Sequence, residues 1–160
     1  LSLDAPIYMF NTQAIAMAHD LRASRITLPI EDTKENLQIV AEKSSLPVVF
    51  DIYADVPLFT SAACIRSNPC KICNRQEKWL ELSREGTKYL ALSKNCQTML
   101  FDEKPYCSVA FARDIKADFF RVNFLYKPYT AAKAAEIWQK MRKFDVLPGV
   151  NEGNLTRGVL

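Results

Sequence analysis

Pro47-Val48-Val49-Phe50-Asp51-Ile52-Tyr53 sets the reading of the whole chain. A strand with one wet face alternates apolar and polar residues. This run is apolar at nearly every consecutive position, the pattern of a strand buried on both faces in a parallel sheet. Parallel neighbours need crossover helices between them, and the residues upstream supply one. Asp32-Thr33-Lys34-Glu35 resembles a capping box, with Asp32 as N-cap and Glu35 reaching back. Leu37, Val40 and Ala41 then give the following helix a buried stripe.

The same rhythm extends outward. Ser24-Arg25-Ile26-Thr27-Leu28 reads as a strand, and residues 12–21 read as a helix with Ile15, Ala16, Ala18 and Leu21 on one face. Pro6-Ile7-Tyr8-Met9-Phe10-Asn11 is apolar and β-prone, and is expected to be the first strand. Downstream, Phe119-Phe120-Arg121-Val122-Asn123-Phe124 reads as another strand. Thr130 is placed to cap a helix reaching about Phe144, with Ala134, Ile137, Trp138 and Met141 on its inner side. Residues 108–115 read as a short helix, and the tail from 147 as mostly irregular, since it holds three of the four glycines.

Between these blocks the pattern changes. Residues 55–78 hold three cysteines and two prolines and read as a long, site-bearing loop. Trp79-Leu80-Glu81-Leu82 and Thr87-Lys88-Tyr89-Leu90-Ala91-Leu92 flank Ser83-Arg84-Glu85-Gly86, a β-hairpin pattern with Gly86 at a positive-φ turn position. The expected division is therefore 1–58, three β(α) units; 59–104, a cysteine-rich loop with the hairpin; and 105–160, a final βα unit and tail. The class is α/β. Successive βα units point to parallel strands with right-handed crossovers, and four such strands are half of what a (β/α)8 barrel needs.

The chain has 160 residues, 49% hydrophobic and 24% charged, with a formal net charge of +3. That suits a globular domain with a real core. No apolar run approaches the ~20 residues that span a bilayer, and no basic-then-apolar leader precedes the body. The expected setting is a reduced cytoplasm with no membrane partner. The start on Leu1, directly on strand-like sequence, reads as a piece of a longer protein. The aromatic residues Trp79, Tyr89, Phe119, Phe120 and Trp138 fall at strand or helix periodicity and are read as core.

Five cysteines, Cys64, Cys70, Cys73, Cys96 and Cys107, cannot all pair. Cys64-x5-Cys70-x2-Cys73 brings three thiols within ten residues, and the x2 spacing lets two sulfurs of one turn point the same way. Cys96 and Cys107 are the candidates for a fourth ligand. A second Cys-x2-Cys is absent, which tells against a zinc ribbon. An iron–sulfur cluster, a lone zinc and unligated thiols all stay open on spacing alone. Lys71 and Arg75, beside these cysteines, would favour thiolates. No Gly-x-Ser-x-Gly elbow or His-Glu-x-x-His pair is present, and the single histidine, His19, lies within a helix pattern.

Asp55-Val56-Pro57-Leu58-Phe59-Thr60-Ser61-Ala62-Ala63-Cys64 resembles a signature of the U-32 peptidase family, the collagenase-like proteases. Asn11-Thr12-Gln13-Ala14, Leu28-Pro29-Ile30-Glu31, Glu85-Gly86, Gln97-Thr98 and Asn154-Leu155-Thr156-Arg157-Gly158 match at the level of short motifs. The nearest branch is that of the anaerobic ubiquinone-biosynthesis accessory and hydroxylase-type proteins. The resemblance implies the C-terminal half of a TIM-like barrel carrying a 4Fe–4S cluster on Cys64, Cys70 and Cys73. It implies oxygen-independent hydroxylation of a small aromatic molecule or an RNA base. It also implies a missing N-terminal half, or a second copy, to cover the open sheet edge. The fourth ligand falls in the absent half in one branch and near Cys107 in another, with Cys96 an additional candidate. Arg121-Val122-Asn123 departs from the lysine-isoleucine-glutamate-glycine-arginine strand end of many members. A collagenase-like peptidase and a non-catalytic module with structural zinc are the alternative functions. On a barrel, residues after the strands face substrate, which selects Asn11, Glu31, Tyr53, Asp55 and Asn123. Arg157 is placed to clamp a carboxylate or phosphate.

Overall fold

The computed structural model describes residues 1–66 and 76–155 and divides the chain into two compact units. One comprises Leu1–Ala54 with the chain from Tyr106 onward; the other is Asp55–Pro105. The fold is mixed α/β.

In the first unit, β1 (Ser2–Leu3), β2 (Arg25–Thr27), β3 (Val48–Ala54) and β9 (Phe119–Val122) pair side by side as parallel strands. Every residue of β3 is buried, as its consecutive apolar run requires. The short β8 (Tyr106–Cys107) runs antiparallel to the end of β3. Tyr53 pairs with Val122 of β9 on one edge and with Cys107 of β8 on the other. β8 therefore continues the line of β2. Among the described residues this sheet stays open, so a barrel is not closed.

Among the described residues three helices accompany the strands. α1 (Thr12–Asp20) buries Ile15 and Ala18; α2 (Lys34–Lys43) buries Leu37, Val40 and Ala41; α3 (Ala131–Lys143) buries Ile137 and Met141. Fully burying a side chain such as Leu37 contributes about 1.5–3 kcal/mol. Each helix starts on a cap. Asn11 Oδ1 accepts from Ala14 N at 2.9 Å, Thr33 Oγ1 from Asn36 N at 3.2 Å, and Thr130 Oγ1 from Lys133 N at 3.2 Å. On α3 the exposed Glu136 is held by Lys133 and Lys140, whose hydrogen bonds push its carboxyl down to about 2.

The second unit is an antiparallel sheet in the order β4 (Pro57–Ser61), β7 (Gln97–Asp102), β6 (Thr87–Lys94), β5 (Lys78–Arg84). Two-residue turns join β5 to β6 and β6 to β7. Glu85 and Gly86 have φ of 52° and 81°, and Asn95 and Cys96 have 51° and 62°. Both match the twist that a tight hairpin demands. Gly86 is the turn glycine expected from the sequence. Cys96 occupies the equivalent position with a side chain, at a backbone cost of about 1–2 kcal/mol.

Several expectations are corrected. The first strand is Ser2–Leu3, and residues 6–11 form none: Ala5–Ile7 is a single 3-10 turn and Tyr8 takes a left-handed conformation. α2 is capped by Thr33, while Asp32 accepts from Thr33 N and from the Asn36 amide. The stretch read as a long loop contains β4, and β7 extends the hairpin into a four-stranded sheet. Residues 108–115 contain one 3-10 turn, Val109–Phe111. Trp138, Phe119 and Phe120 are 47%, 49% and 40% exposed, so none is core.

The tail folds back on Tyr106. Gly153 has a φ of 63°, and a Cβ there would meet the Tyr106 ring at 3.1 Å and the Ile30 carbonyl oxygen at 3.4 Å. Gly153→Ala is expected to cost at least about 1–2 kcal/mol from the backbone alone, seen as a lower urea midpoint at unchanged slope. An unchanged midpoint would show that the tail does not depend on this packing.

Candidate functional site

The thiols divide between the units. Cys64 and Cys96 belong to the antiparallel insertion, and Cys107 to β8 of the parallel unit. Cys70 and Cys73, with Lys71 and Arg75, lie outside the described residues, as does Arg157. Among the described residues no group of three or more His, Cys, Asp and Glu side chains gathers as a metal site would.

Cys64 stands at one end of the insertion's sheet. Ser61, Thr98, Ser93 and Lys78 form a row across the four strands at that end. Thr98 and Ser93 are 5% and 2% exposed. Buried hydroxyls need partners, and here they anchor the chain just after β4. Thr98 Oγ1 donates to the Ala63 carbonyl at 2.8 Å and accepts from Ile65 N at 2.9 Å. Arg66 Nε donates to Ser93 Oγ at 3.1 Å, and Arg66 Nη2 donates to the Gln76 carbonyl. The two residues that border segment 67–75 are thus joined across it. Cys64 Sγ lies 3.6 Å from Ser93 Oγ. The backbone amide of Arg66 lowers the Cys64 thiol pKa most, followed by the Ser93 hydroxyl, with the Arg66 charge adding to both. Cys96, in the β6–β7 turn, projects from the same end of the sheet and is exposed.

Cys107 differs. It is 3% exposed, and burial pushes its thiol pKa up. The thiolate is both nucleophile and metal ligand. In metal-free protein, iodoacetamide should therefore modify Cys64 and Cys96 about tenfold or more faster than Cys107 near neutral pH. Peptide mass mapping over time measures this, and equal rates would contradict the assigned environments.

The residues proposed to face substrate occupy varied places. Asn11 caps α1. Tyr53 is 2% exposed. A β-bulge breaks the register between Asp51 and Tyr53, so Tyr53 shares a face with Val122 and Phe120 rather than with Asp51. Its hydroxyl meets that of Tyr129 at 2.9 Å, and Phe124 packs beside both rings. Asp55 is buried where the insertion begins. Asn123 follows β9 and turns its Oδ1 to Leu125 N at 2.9 Å. Glu31 follows β2 exposed, with its carbonyl accepting from Asn154 Nδ2 at 3.0 Å and Tyr8 Oη 3.5 Å from its carboxylate.

One cluster was not singled out from the sequence. On the opposite face from Phe120, Arg121 Nε and Nη2 donate to the two oxygens of Asp51, and Nη2 also donates to Asp4 at 2.7 Å. Asp51 is 2% exposed, and burial raises its carboxyl above the ordinary range against the pull of Arg121. Asp4, more open, is held below that range by its hydrogen bond from Arg121. A lone aspartate inside a strand that is otherwise apolar is the signal for such a pair, since a buried charge requires a partner. His19 is 64% exposed, and its carboxylate neighbour is Asp20 at 3.9 Å.

No helix of the described residues is long and apolar enough to cross a membrane. No family model, curated protein or solved structure matches the chain.

Proposed function

We propose that the chain is part of a U-32-type protein, a segment of a TIM-like barrel, whose cysteine insertion holds a 4Fe–4S cluster. The observation that carries this reading is the setting of Cys64. Its thiolate is favoured by a backbone amide, a hydroxyl and a guanidinium, at the end of the sheet where segment 67–75 departs and returns. Cys64, Cys70 and Cys73 are the proposed ligands. Cys96 suits the fourth place better than Cys107, because it is exposed at that end of the sheet while Cys107 is buried and burial pushes its thiol pKa up. Sulfur donors of this kind suit iron–sulfur clusters and zinc alike. A bound cluster would supply one-electron chemistry, and the protein would hold and shield it. The reaction proposed from the resemblance is oxygen-independent hydroxylation of a small aromatic molecule or an RNA base in the cytoplasm. A missing N-terminal half of the barrel, or a second copy, would cover the open sheet edge.

The other two readings differ in what they require. A peptidase needs an activated nucleophile, and the single histidine, His19, is 64% exposed with Asp20 as its carboxylate neighbour. A structural zinc needs the same thiols but no sulfide. Iron, zinc and acid-labile sulfide measured on protein prepared without oxygen separate them. Iron with matching sulfide is expected. Zinc without iron would replace this reading with the structural one.

A further inference from the structure

We infer that the outer edge of β4 is a pairing surface for a second copy of this chain, the two β4 strands running antiparallel about Thr60. The inference rests on the insertion's own antiparallel sheet. It takes nothing from the proposed function and concerns a different edge from the open one of the parallel sheet.

The hairpins fix where the backbone groups of β4 point. Along an antiparallel strand these groups address one neighbour and then the other in alternation. A two-residue turn closes on a pair that exchanges both bonds, here Arg84 with Thr87 and Lys94 with Gln97. Counting from either turn gives the same alternation along β6. Gln97, Met99 and Phe101 therefore address β6, while Thr98 and Leu100 address β4, where they face Ser61 and Phe59. Thr60, between those two, turns its N–H and C=O away from β7. β4 ends the strand order, so among the described residues no strand receives them.

The two edges of this sheet differ in chemistry. β5 presents Lys78, Glu81 and Arg84, charges of the kind that keep an edge from pairing. β4 is guarded only where it begins, by Pro57, which lacks a donor, and by the bulge between Pro57 and Phe59. No residue from Val56 to Ile65 is charged, in a chain that is 24% charged. Leu58 and Phe59 are 50% and 53% exposed. An uncharged edge has nothing with which to select a charged peptide, and it meets its own copy without repulsion. With Thr60 on a two-fold axis, it faces its counterpart in a pair that exchanges two N–H···O=C bonds. Phe59 then faces Ser61 of the second copy. The two Phe59 side chains lie diagonally on one face, within the reach of aromatic rings. The ladder sets the register, and covering Leu58 and Phe59 supplies the apolar burial.

Sedimentation equilibrium of the full chain, with reductant present to exclude disulfide links between copies, tests the pairing. The mass should rise with concentration from that of one chain towards that of two. Phe59→Lys should weaken the dimer by about tenfold or more, because the symmetric interface loses the same anchor twice and gains two like charges on one face. Thr60→Pro should weaken it as well, since it removes the outward N–H while leaving the bonds to β7 in place. Circular dichroism matching the unmodified chain shows that each variant is folded, and Thr60→Pro serves if Phe59→Lys is not. Phe119→Lys, at the β9 edge, should leave the dimer unchanged. A monomer at every concentration would overturn the inference and leave the β4 edge to a strand of another protein. Dimers of unchanged strength in folded Phe59→Lys or Thr60→Pro, or a dimer lost in Phe119→Lys, would also overturn it.

Discussion

Arg121→Met is expected to destabilise the parallel unit by about 3 kcal/mol or more, the lower end of what breaking a buried ion pair costs. The lower end applies because the Arg121 side chain is 32% exposed, whereas that of Asp51 is 2% exposed. The cost arises mainly from what remains. Asp51 would keep its carboxyl in the sheet with neither counter-charge nor donor from β9. Asp4 would lose the bond that ties the segment after β1 to β9, across 117 positions of sequence. The pH dependence follows in sign. A carboxyl whose folded pKa is raised contributes stability at low pH that is lost as pH rises through that value. Removing Arg121 leaves Asp51 with burial and the nearby Asp4 charge, both of which raise it further. Asp4 is depressed, so its contribution is present above its unfolded value and lost as pH falls, and the largest part of that contribution, the bond from Arg121, goes with the substitution. Both effects make the deficit of the variant larger at pH 7 than at pH 4. Urea unfolding at the two values measures it. The double variant Asp51→Leu, Arg121→Met should recover part of the loss, since an apolar pair leaves no buried charge. A deficit below about 1 kcal/mol at pH 7 would place this pair with ordinary surface bridges.

The parts legible in the sequence are those whose burial follows from local pattern. β3 was readable because consecutive apolar residues leave no wet face, and α2 because Leu37, Val40 and Ala41 repeat at helical spacing. The Glu85-Gly86 turn was readable because few residues accept its dihedral angles. The stretch from Pro6 to Asn11 misled: its composition favours a strand, but Pro6 lacks a ladder donor and Tyr8 turns the chain left-handed. β4 was hidden because its Leu58 and Phe59 are half exposed, and no alternation marks the face that pairs with β7. Both Asp32 and Thr33 can cap a helix. Which one does so depends on Asn36 claiming Asp32, a contact that no reading of propensity resolves. The partner of Asp51 is Arg121 of β9, which also bonds Asp4 at β1's exit, so only the assembled sheet identifies the cluster.

Cys64→Ser is expected to abolish cluster assembly. Serine keeps the size of the side chain but offers iron a poor ligand where a thiolate is favoured by the Arg66 amide and Ser93. Cys107→Ser, at a buried thiol whose pKa is pushed up by burial, should leave assembly intact. The pair of variants separates loss of a ligand from general damage, provided circular dichroism shows both folded. The decisive measurement is iron bound per chain after anaerobic reconstitution with iron and sulfide. About four iron atoms in the unmodified chain and in Cys107→Ser, with almost none in Cys64→Ser, is the predicted result. Equal iron in all three, or none in any, would contradict the account.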